Sequence, residues 1–343
     1  MLKNDIFYLA SLRGVTGEES EVSSAVAKML ESLVDQVKVD GLGNVIGTLS
    51  CGKENAKKLV LSAHLDQVGL MVEKITEEGF IKAVSLGVDP RVMLGTKLLI
   101  LTDSGPIHCC SAAIPPHLQK EGDAEQAVDI HDVWLDAGMG GEDARKVIHP
   151  GDRVLYDMRP AELLNDRITG AALDDRVGAV CILEALSRIS RAELKLDLCV
   201  VFTTMEESDF QGCTYALEQL RPDYFIAVDA CHGRTLGCHE YDRVHDLGCG
   251  AVISFGMNSR PAFAGELARI AQMERVPFDR EAMPGKSFTD AWAAQITHEG
   301  VCTAVVSYPL RHMHTPVEVL DLGDAEAVAH LLAAVCAHFG GAE

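Results

Sequence analysis

The chain has 343 residues, 48% of them hydrophobic and 24% charged, and its 51 acidic residues outnumber 30 basic ones to give a formal net charge of −21. This balance repels nucleic acid and anionic membrane surfaces, so we expect no partner of either kind. The longest apolar runs have about ten residues, well short of the roughly 20 that cross a bilayer. The amino terminus lacks a signal-peptide pattern, so we expect a cytoplasmic protein.

Helices and buried strands alternate along most of the chain. Apolar residues recur at spacings of three and four, as in amphipathic helices, over 18–37, 174–189, 261–275 and 324–338. Short β-branched runs, too apolar to alternate between core and solvent, occupy 57–63, 196–204, 224–228, 251–256 and 301–310. The sequence therefore predicts an α/β fold with a mainly parallel sheet covered by helices on both faces.

Residues 68–164 have a different pattern. Short alternating segments are separated there by glycine, proline and acidic loops, without a long helical period. We interpret 68–164 as a small β-rich domain inserted into a discontinuous catalytic domain that comprises 1–67 and 165–343.

Histidines and carboxylates stand where the predicted strands end. Ligands of open α/β sheets gather outside the carboxyl ends of strands, so we expect these side chains to converge. Each one alone is explained by helix capping or a polar surface, but burying so many carboxylates together is costly without a cation. Mixed histidine and carboxylate ligands suit zinc, cobalt or manganese, and two ions would share a bridging carboxylate. The residues concerned are His64, Asp66, Asp174, Glu206, Glu207, Asp229 and His314.

Two adjacent glutamates, Glu206 and Glu207, follow the strand at 196–204. Neighbouring side chains of an extended chain point to opposite sides, so one glutamate can bind a metal while the other faces a water molecule. That arrangement predicts hydrolysis of an amide, with the free glutamate as general base. The carboxylate of Asp66 is expected to hold the ring nitrogen of His64 that faces away from the metal.

Five strings along the chain carry a family resemblance: AHLDQVGLMV, ALDDRVGAV, TTMEES, YFIAVDA and LRHMHTPVEV. In order and spacing they resemble the tetrahedral aminopeptidases, cytosolic dinuclear metallopeptidases also labelled glutamyl or deblocking aminopeptidase or endoglucanase M. The resemblance implies a zinc-peptidase-like catalytic domain and two divalent metal ions per subunit, with zinc expected first and cobalt or manganese as alternatives.

The resemblance also assigns roles to individual residues. One ion would be held by His64, Asp174 and Asp229, and the other by Asp174, Glu207 and His314. Glu206 would be the general base and Asp66 the partner of His64, and the resemblance implies a cis peptide between Asp174 and Asp175.

The resemblance further implies short peptide substrates and self-association into a homododecamer through the inserted domain. Two segments, EESDFQG (206–212) and KSFTDA (286–291), differ from the strings usual in the family and leave the preferred amino-terminal residue open.

Three other functions compete with an aminopeptidase. A deacylase or carboxypeptidase would use the same two-metal chemistry, and a noncatalytic peptide-binding shell protein would bind structural metal only. A glycosidase also uses paired carboxylates, but only 5% of the residues are aromatic, and Trp134 and Trp292 lie away from the strand ends.

A further group, Cys231, His232, Cys238 and His239, lies in the string CHGRTLGCHE. Its spacing matches none of the usual structural zinc motifs, so we do not predict a metal there.

Overall fold

The computed structural model describes residues 2–119, 127–239 and 242–342. Over these residues, no helix combines the length and the apolar character that crossing a membrane would take. The helices are α1 (Leu2–Ala10), α2 (Ser20–Leu30), α3 (Gly141–Val147), α4 (Leu173–Arg188), α5 (Gln211–Leu220), α6 (Pro261–Met273), α7 (Asp290–Gln295) and α8 (Leu322–His338).

Eleven strands form one large sheet in the order β1-β2-β12-β3-β13-β16-β17-β11-β10, with β14 paired to β16 and to β15. These strands are β1 (Gln36–Val39), β2 (Val45–Leu49), β3 (Lys58–His64), β10 (Ala161–Glu162), β11 (Arg167–Gly170), β12 (Asp197–Thr203), β13 (Tyr224–His232), β14 (Ala251–Gly256), β15 (Phe278–Met283), β16 (Cys302–Arg311) and β17 (Glu318–Asp321). The four central strands, β12, β3, β13 and β16, are mutually parallel. Most flanking pairs are antiparallel, so the parallel part of the sheet is limited to its centre. The predicted α/β class is confirmed.

Strand β3 illustrates why the central strands are apolar throughout. Leu59 and Leu61 pack into a core shared with α1, α4 and α8, while Val60 packs on the opposite face against α5 and α7. Because both faces are covered, successive side chains all meet apolar neighbours, and the sequence shows a run rather than an alternation.

Six other strands of the described part of the chain close into a barrel in the order β4-β5-β8-β7-β6-β9. They are β4 (Gly69–Ile75), β5 (Ile81–Leu86), β6 (Lys97–Thr102), β7 (Gly105–Ser111), β8 (Trp134–Asp136) and β9 (Arg153–Tyr156). The barrel has a separate apolar core, and the chain has rejoined the large sheet at β10, which pairs with β11. The oligomerisation role of this region stays a prediction.

The predicted helix over 18–37 is wrong in its second half. Helix α2 ends at Leu30, and Gln36–Val39 form β1, which pairs with β2. Val37 and Val39 are β-branched residues separated by Lys38, a pattern that suits an edge strand and that helical periodicity alone does not exclude.

Candidate metal centre

The carboxyl ends of the central strands open into a cavity of about 580 Å³. His64 ends β3 and Asp229 lies in β13, whereas Glu206 and Glu207 follow β12 and His314 follows β16. Parallel strands end at the same edge of a sheet, so the chain brings these distant positions together. The cavity is lined by six of the residues singled out in the sequence, namely His64, Asp174, Glu206, Glu207, Asp229 and His314.

Asp174 lies between the two histidines. Its Oδ1 is 3.2 Å from His64 Nε2, and its Oδ2 is 3.4 Å from His314 Nε2. Glu207 Oε1 is 3.1 Å from the same nitrogen of His314, and Asp229 Oδ1 is 3.9 Å from His64 Nε2. The Asp174 carboxylate therefore presents one oxygen to each histidine.

These separations can be compared with those of metal ligands. Two donors that are each about 2.1 Å from a tetrahedral ion lie about 3.4 Å apart. Glu206 Oε1 is moreover buried without a hydrogen-bond partner among the described residues, and so dense a group of carboxylates is costly unless a cation lies nearby. The donor set therefore fits a divalent transition metal.

The charges of the cavity shift the pKa values of its groups. Burial raises the pKa of Glu206 and of Asp229 well above their usual values, and neighbouring carboxylates add to this effect. Burial opposes the charged form of His314, but Asp174 and Glu207 outweigh it and raise its pKa to about 11. The donor cluster thus holds an excess of negative charge, which favours a cation.

Asp66 makes a contact different from the one expected. The ring Nδ1 of His64 is 2.9 Å from the backbone oxygen of Asp66, whereas the carboxylate Oδ1 is 3.7 Å away. The Asp66 carboxylate instead accepts hydrogen bonds from the backbone N–H groups of Glu206 and Glu207, at 3.0 and 3.1 Å. Asp66 therefore supports His64 through its main chain and the glutamate pair through its side chain.

The two glutamates do not lie on extended chain. Strand β12 ends at Thr203, Met205 has a φ of +55°, and Glu206 and Glu207 lie in the turn that follows. Alternation along a strand is thus the wrong reason for their different environments. The turn and the two hydrogen bonds to Asp66 set the direction of each side chain.

Glu318 was not singled out in the sequence, although it holds two of the predicted ligands in place. Its Oε2 accepts from the backbone N–H groups of Leu173 and Asp174, and its Oε1 accepts from that of His314 at 2.9 Å. Glu318 is buried in β17, within the apolar string VEVL. The acidic residue within this apolar string is the feature of the sequence that could have pointed to Glu318.

Asp175 and Tyr308 form a second support. The Asp174–Asp175 peptide is cis, as the resemblance implied. The Asp175 carboxylate accepts from the Tyr308 hydroxyl at 2.7 Å and from the backbone N–H of His64 at 3.1 Å. Asp175 thereby links the start of α4 to the ends of β3 and β16.

The walls of the cavity carry both charges and aromatic rings. Arg243 and Lys286 bring positive charge, while Asp209 and Glu281 bring negative charge. Phe210 and Phe288 add apolar surface, so both segments that depart from the family strings, 206–212 and 286–291, contribute to the lining.

Proteins similar to this chain in sequence and architecture include several peptidases. The chain is 30% identical over 330 residues to lysyl aminopeptidase of Pyrococcus furiosus, covering 94% of this chain and 93% of that protein. An aminopeptidase from the archaeon Desulfurococcus kamchatkensis superposes with a TM-score of 0.91 at 29% identity, covering 98% of this chain and 94% of that one. The TET1 peptidase of Pyrococcus horikoshii, which can assemble into a tetrahedron or a large octahedral shell, superposes with a TM-score of 0.87 at 25% identity, covering 99% and 100%.

The family profile of the M42 glutamyl aminopeptidases matches residues 43–331. The resemblance seen in the five strings is thereby confirmed. The chain belongs to the M42 glutamyl aminopeptidase family and is a hydrolase that acts on peptide bonds.

Proposed function

We propose that this protein is a dinuclear metallo-aminopeptidase that removes the amino-terminal residue of short peptides. One ion would be held by His64, Asp174 and Asp229, and the second by Asp174, Glu207 and His314. The observation that carries the proposal is the Asp174 carboxylate, whose two oxygens face two different histidines at 3.2 and 3.4 Å. A carboxylate so placed is suited to bridge two cations.

Zinc is the first candidate for both ions, with cobalt and manganese as alternatives. When bound, such ions act as Lewis acids that polarise the scissile carbonyl and acidify a water molecule. Glu206, which lines the cavity, would accept a proton from the water on its carboxylate. The same carboxyl passes the proton to the nitrogen of the leaving amine.

Asp66 and Glu318 have supporting roles in this proposal. Asp66 holds the backbone of Glu206 and Glu207, so it orients both the base and a ligand. Glu318 holds the backbone of Asp174 and His314. Fixed ligands lose little freedom when a metal or a substrate binds.

The relatives of the chain favour an amino terminus over a carboxyl terminus as the point of cleavage, because the family profile and lysyl aminopeptidase are both named for aminopeptidase activity. Of the described residues that line the cavity, none is tryptophan or tyrosine, which leaves a sugar without its usual platforms.

The decisive experiment compares peptides with free and with acetylated amino termini. Metal-loaded protein is expected to release the first residue of free peptides and to leave the acetylated ones intact. Preference for acetylated peptides would support a deacylase, and release from the carboxyl end a carboxypeptidase. Protein that binds metal and assembles but cleaves no peptide would be a noncatalytic shell protein.

We also propose a homododecamer, because the related TET1 peptidase can assemble into a tetrahedron and a TET1 structure contains a dodecamer. Leu118 and Leu164 are apolar residues that this chain leaves exposed, as an interface would require. Light scattering coupled to size-exclusion chromatography tests this, and a monomer at micromolar concentration would contradict it. A cytoplasmic location agrees with eleven cysteines that are all free thiols.

A further inference from the structure

A second group of potential metal ligands lies outside the donor cluster of the cavity. His245 Nδ1 is 2.8 Å from Asp279 Oδ2, and ligand atoms of His245, Cys249 and Asp279 all lie within 4.8 Å of one another. The His245 side chain is only 7% exposed. Cys238 and His239 of the string CHGRTLGCHE do not belong to this group.

The backbone presents Cys249 in a fixed position. The N–H groups of Gly248 and Gly250, on either side of it, donate to the two carboxylate oxygens of Asp324 at 2.8 and 2.7 Å. Gly250 has a φ of +92°, and a Cβ there would lie 2.1 Å from the backbone oxygen of Pro277. This close approach brings the loop against the segment that leads into Asp279.

The surroundings of Cys249 are negative. The carboxylates of Asp279 and Asp324 lie beside it, and their negative charge favours a cation at the same place. When a cation binds, the S–H bond breaks, the proton passes to solvent, and the sulfur donates its electron pair to the metal.

We propose that His245, Cys249 and Asp279 form an additional site for a divalent transition metal, separate from the cavity. A ring nitrogen, a thiolate and a carboxylate are the ligands that zinc prefers, whereas magnesium and calcium bind oxygen. Three protein ligands leave a fourth position for water.

The site would fix a wall of the substrate cavity. The backbone N–H of His245 donates to the backbone oxygen of His232 at 2.9 Å, and His232 lines the cavity. Asp279 lies on β15, which also carries Glu281 and Met283 of the lining. A metal bridging His245 and Asp279 would therefore hold the loop against β15.

Cobalt provides a selective probe, because a Co²⁺–thiolate bond absorbs in the near ultraviolet while bonds to nitrogen and oxygen do not. We expect Co²⁺ added to the metal-free protein to produce this absorption, and Cys249→Ser to abolish it. Zinc content should fall by about one ion per chain in the same variant. The proposed ligands of the cavity are nitrogen and oxygen atoms, so the readout is independent of whether peptides are cleaved.

Two cysteine variants serve as matched controls. Cys238→Ser tests the neighbouring loop, and Cys231→Ser tests the buried thiol that lines the cavity. Both should retain the absorption. Its absence from the unmodified protein, its persistence in Cys249→Ser, or its loss in Cys231→Ser with Cys249 present would overturn the proposal.

A third variant tests the site independently, in case Cys249→Ser loses the absorption through a folding defect. The Asp279 side chain is 53% exposed, so Asp279→Asn should fold normally. We expect it to keep the absorption but to need at least about tenfold more Co²⁺ for half-saturation. An unchanged titration would remove Asp279 from the site and overturn the three-ligand proposal.

Discussion

The two groups of potential metal ligands are built in different ways. The cavity group takes its side chains from the ends of separate strands, and the sheet fixes the spacing of those strands. The His245 group takes two of its three side chains from one loop, and Asp279 is 53% exposed whereas Asp174 is 5% exposed. The cavity group is thus ordered before any cation binds, whereas the loop group would gain order from the cation. Preorganisation comes from the backbone that carries a ligand, and the choice of ligand sets only which metal is preferred.

The largest effect is expected from the two adjacent glutamates. Glu206→Gln should lower kcat by about 10²–10⁴-fold while metal content stays unchanged, because the variant loses only a proton acceptor. Glu207→Gln is the matched control and should lose bound metal as well as activity. Steady-state kinetics and elemental analysis of both variants check this. Full activity in Glu206→Gln would remove it as the base.

A supporting carboxylate should have a smaller effect. Glu318→Gln replaces one acceptor oxygen by an NH₂ group that faces backbone N–H donors, so at least one of the three hydrogen bonds from Leu173, Asp174 and His314 is lost. We expect metal affinity to fall by about 10–100-fold and the free energy of unfolding by about 2–3 kcal/mol. Competition with a metal chelator and chemical denaturation measure the two quantities.

Glu281→Gln is the control for this substitution. Glu281 is also a buried glutamate, but its side chain accepts from the Ser254 hydroxyl, at 2.6 Å, rather than from the backbone of a proposed ligand. Metal affinity in the cavity should be unaffected by this change. Equal losses of affinity in both variants would indicate a general effect of removing buried charge.

During gradual removal of metal, the two groups of ligands should lose their cations at different times. Because Asp279 is more exposed than the cavity ligands, we expect the loop group to release its cation first. In cobalt-loaded protein treated with a chelator, the thiolate absorption should therefore fall before peptidase activity does. Activity that disappears while the absorption persists would reverse the order.

The smallest effect concerns Glu19, which lies beside the glutamate turn. Its Oε1 accepts from the N–H groups of Gly17 and Met205, at 2.7 and 3.1 Å. Burial and the charge of Asp66 raise the pKa of Glu19 from 4.5 to about 7. The unfolded chain releases this proton at lower pH than the folded protein does. Ionisation of Glu19 therefore lowers the free energy of unfolding progressively as pH rises from about 4.5 to about 7.

Glu19→Gln keeps an acceptor oxygen and removes the charge. We expect the variant to be more stable than the unmodified protein at pH 8, by on the order of 1–2 kcal/mol, and similar to it at pH 4. Thermal unfolding at both pH values tests this. An equal shift of the unfolding temperature at pH 8 and pH 4 would show that the gain in stability does not come from the ionisation of Glu19.

The sequence indicated most of the candidate ligands because each follows a buried strand or begins a helix. His64 stands directly after the apolar run at 57–63 and Glu207 lies three residues after the run at 196–204, and that pattern needs no knowledge of how distant segments pack. The parallel centre of the sheet followed from the same runs. These features depend on local composition, which a single sequence contains.

Features that depend on side-chain contacts between distant segments were not predictable. Glu318 alternates with valines in VEVL, and an acid in that pattern normally faces solvent on an edge strand. His245, Cys249 and Asp279 converge where Gly248 and Gly250 bind Asp324 on α8. The contact between the Asp66 carboxylate and the glutamate turn likewise depends on the bend after β12.

The position of β3 in the sheet has a consequence for synthesis on the ribosome. Its neighbours are β12 and β13, which begin at Asp197 and Tyr224 and are therefore translated long after it. Two antiparallel pairs of the barrel, β4–β5 and β6–β7, are local in sequence and can form soon after they emerge. Until β12 and β13 have been synthesised, both edges of β3 lack a paired strand. Unpaired strand edges promote aggregation, so this is the stage of synthesis at which chaperones would protect the nascent chain most.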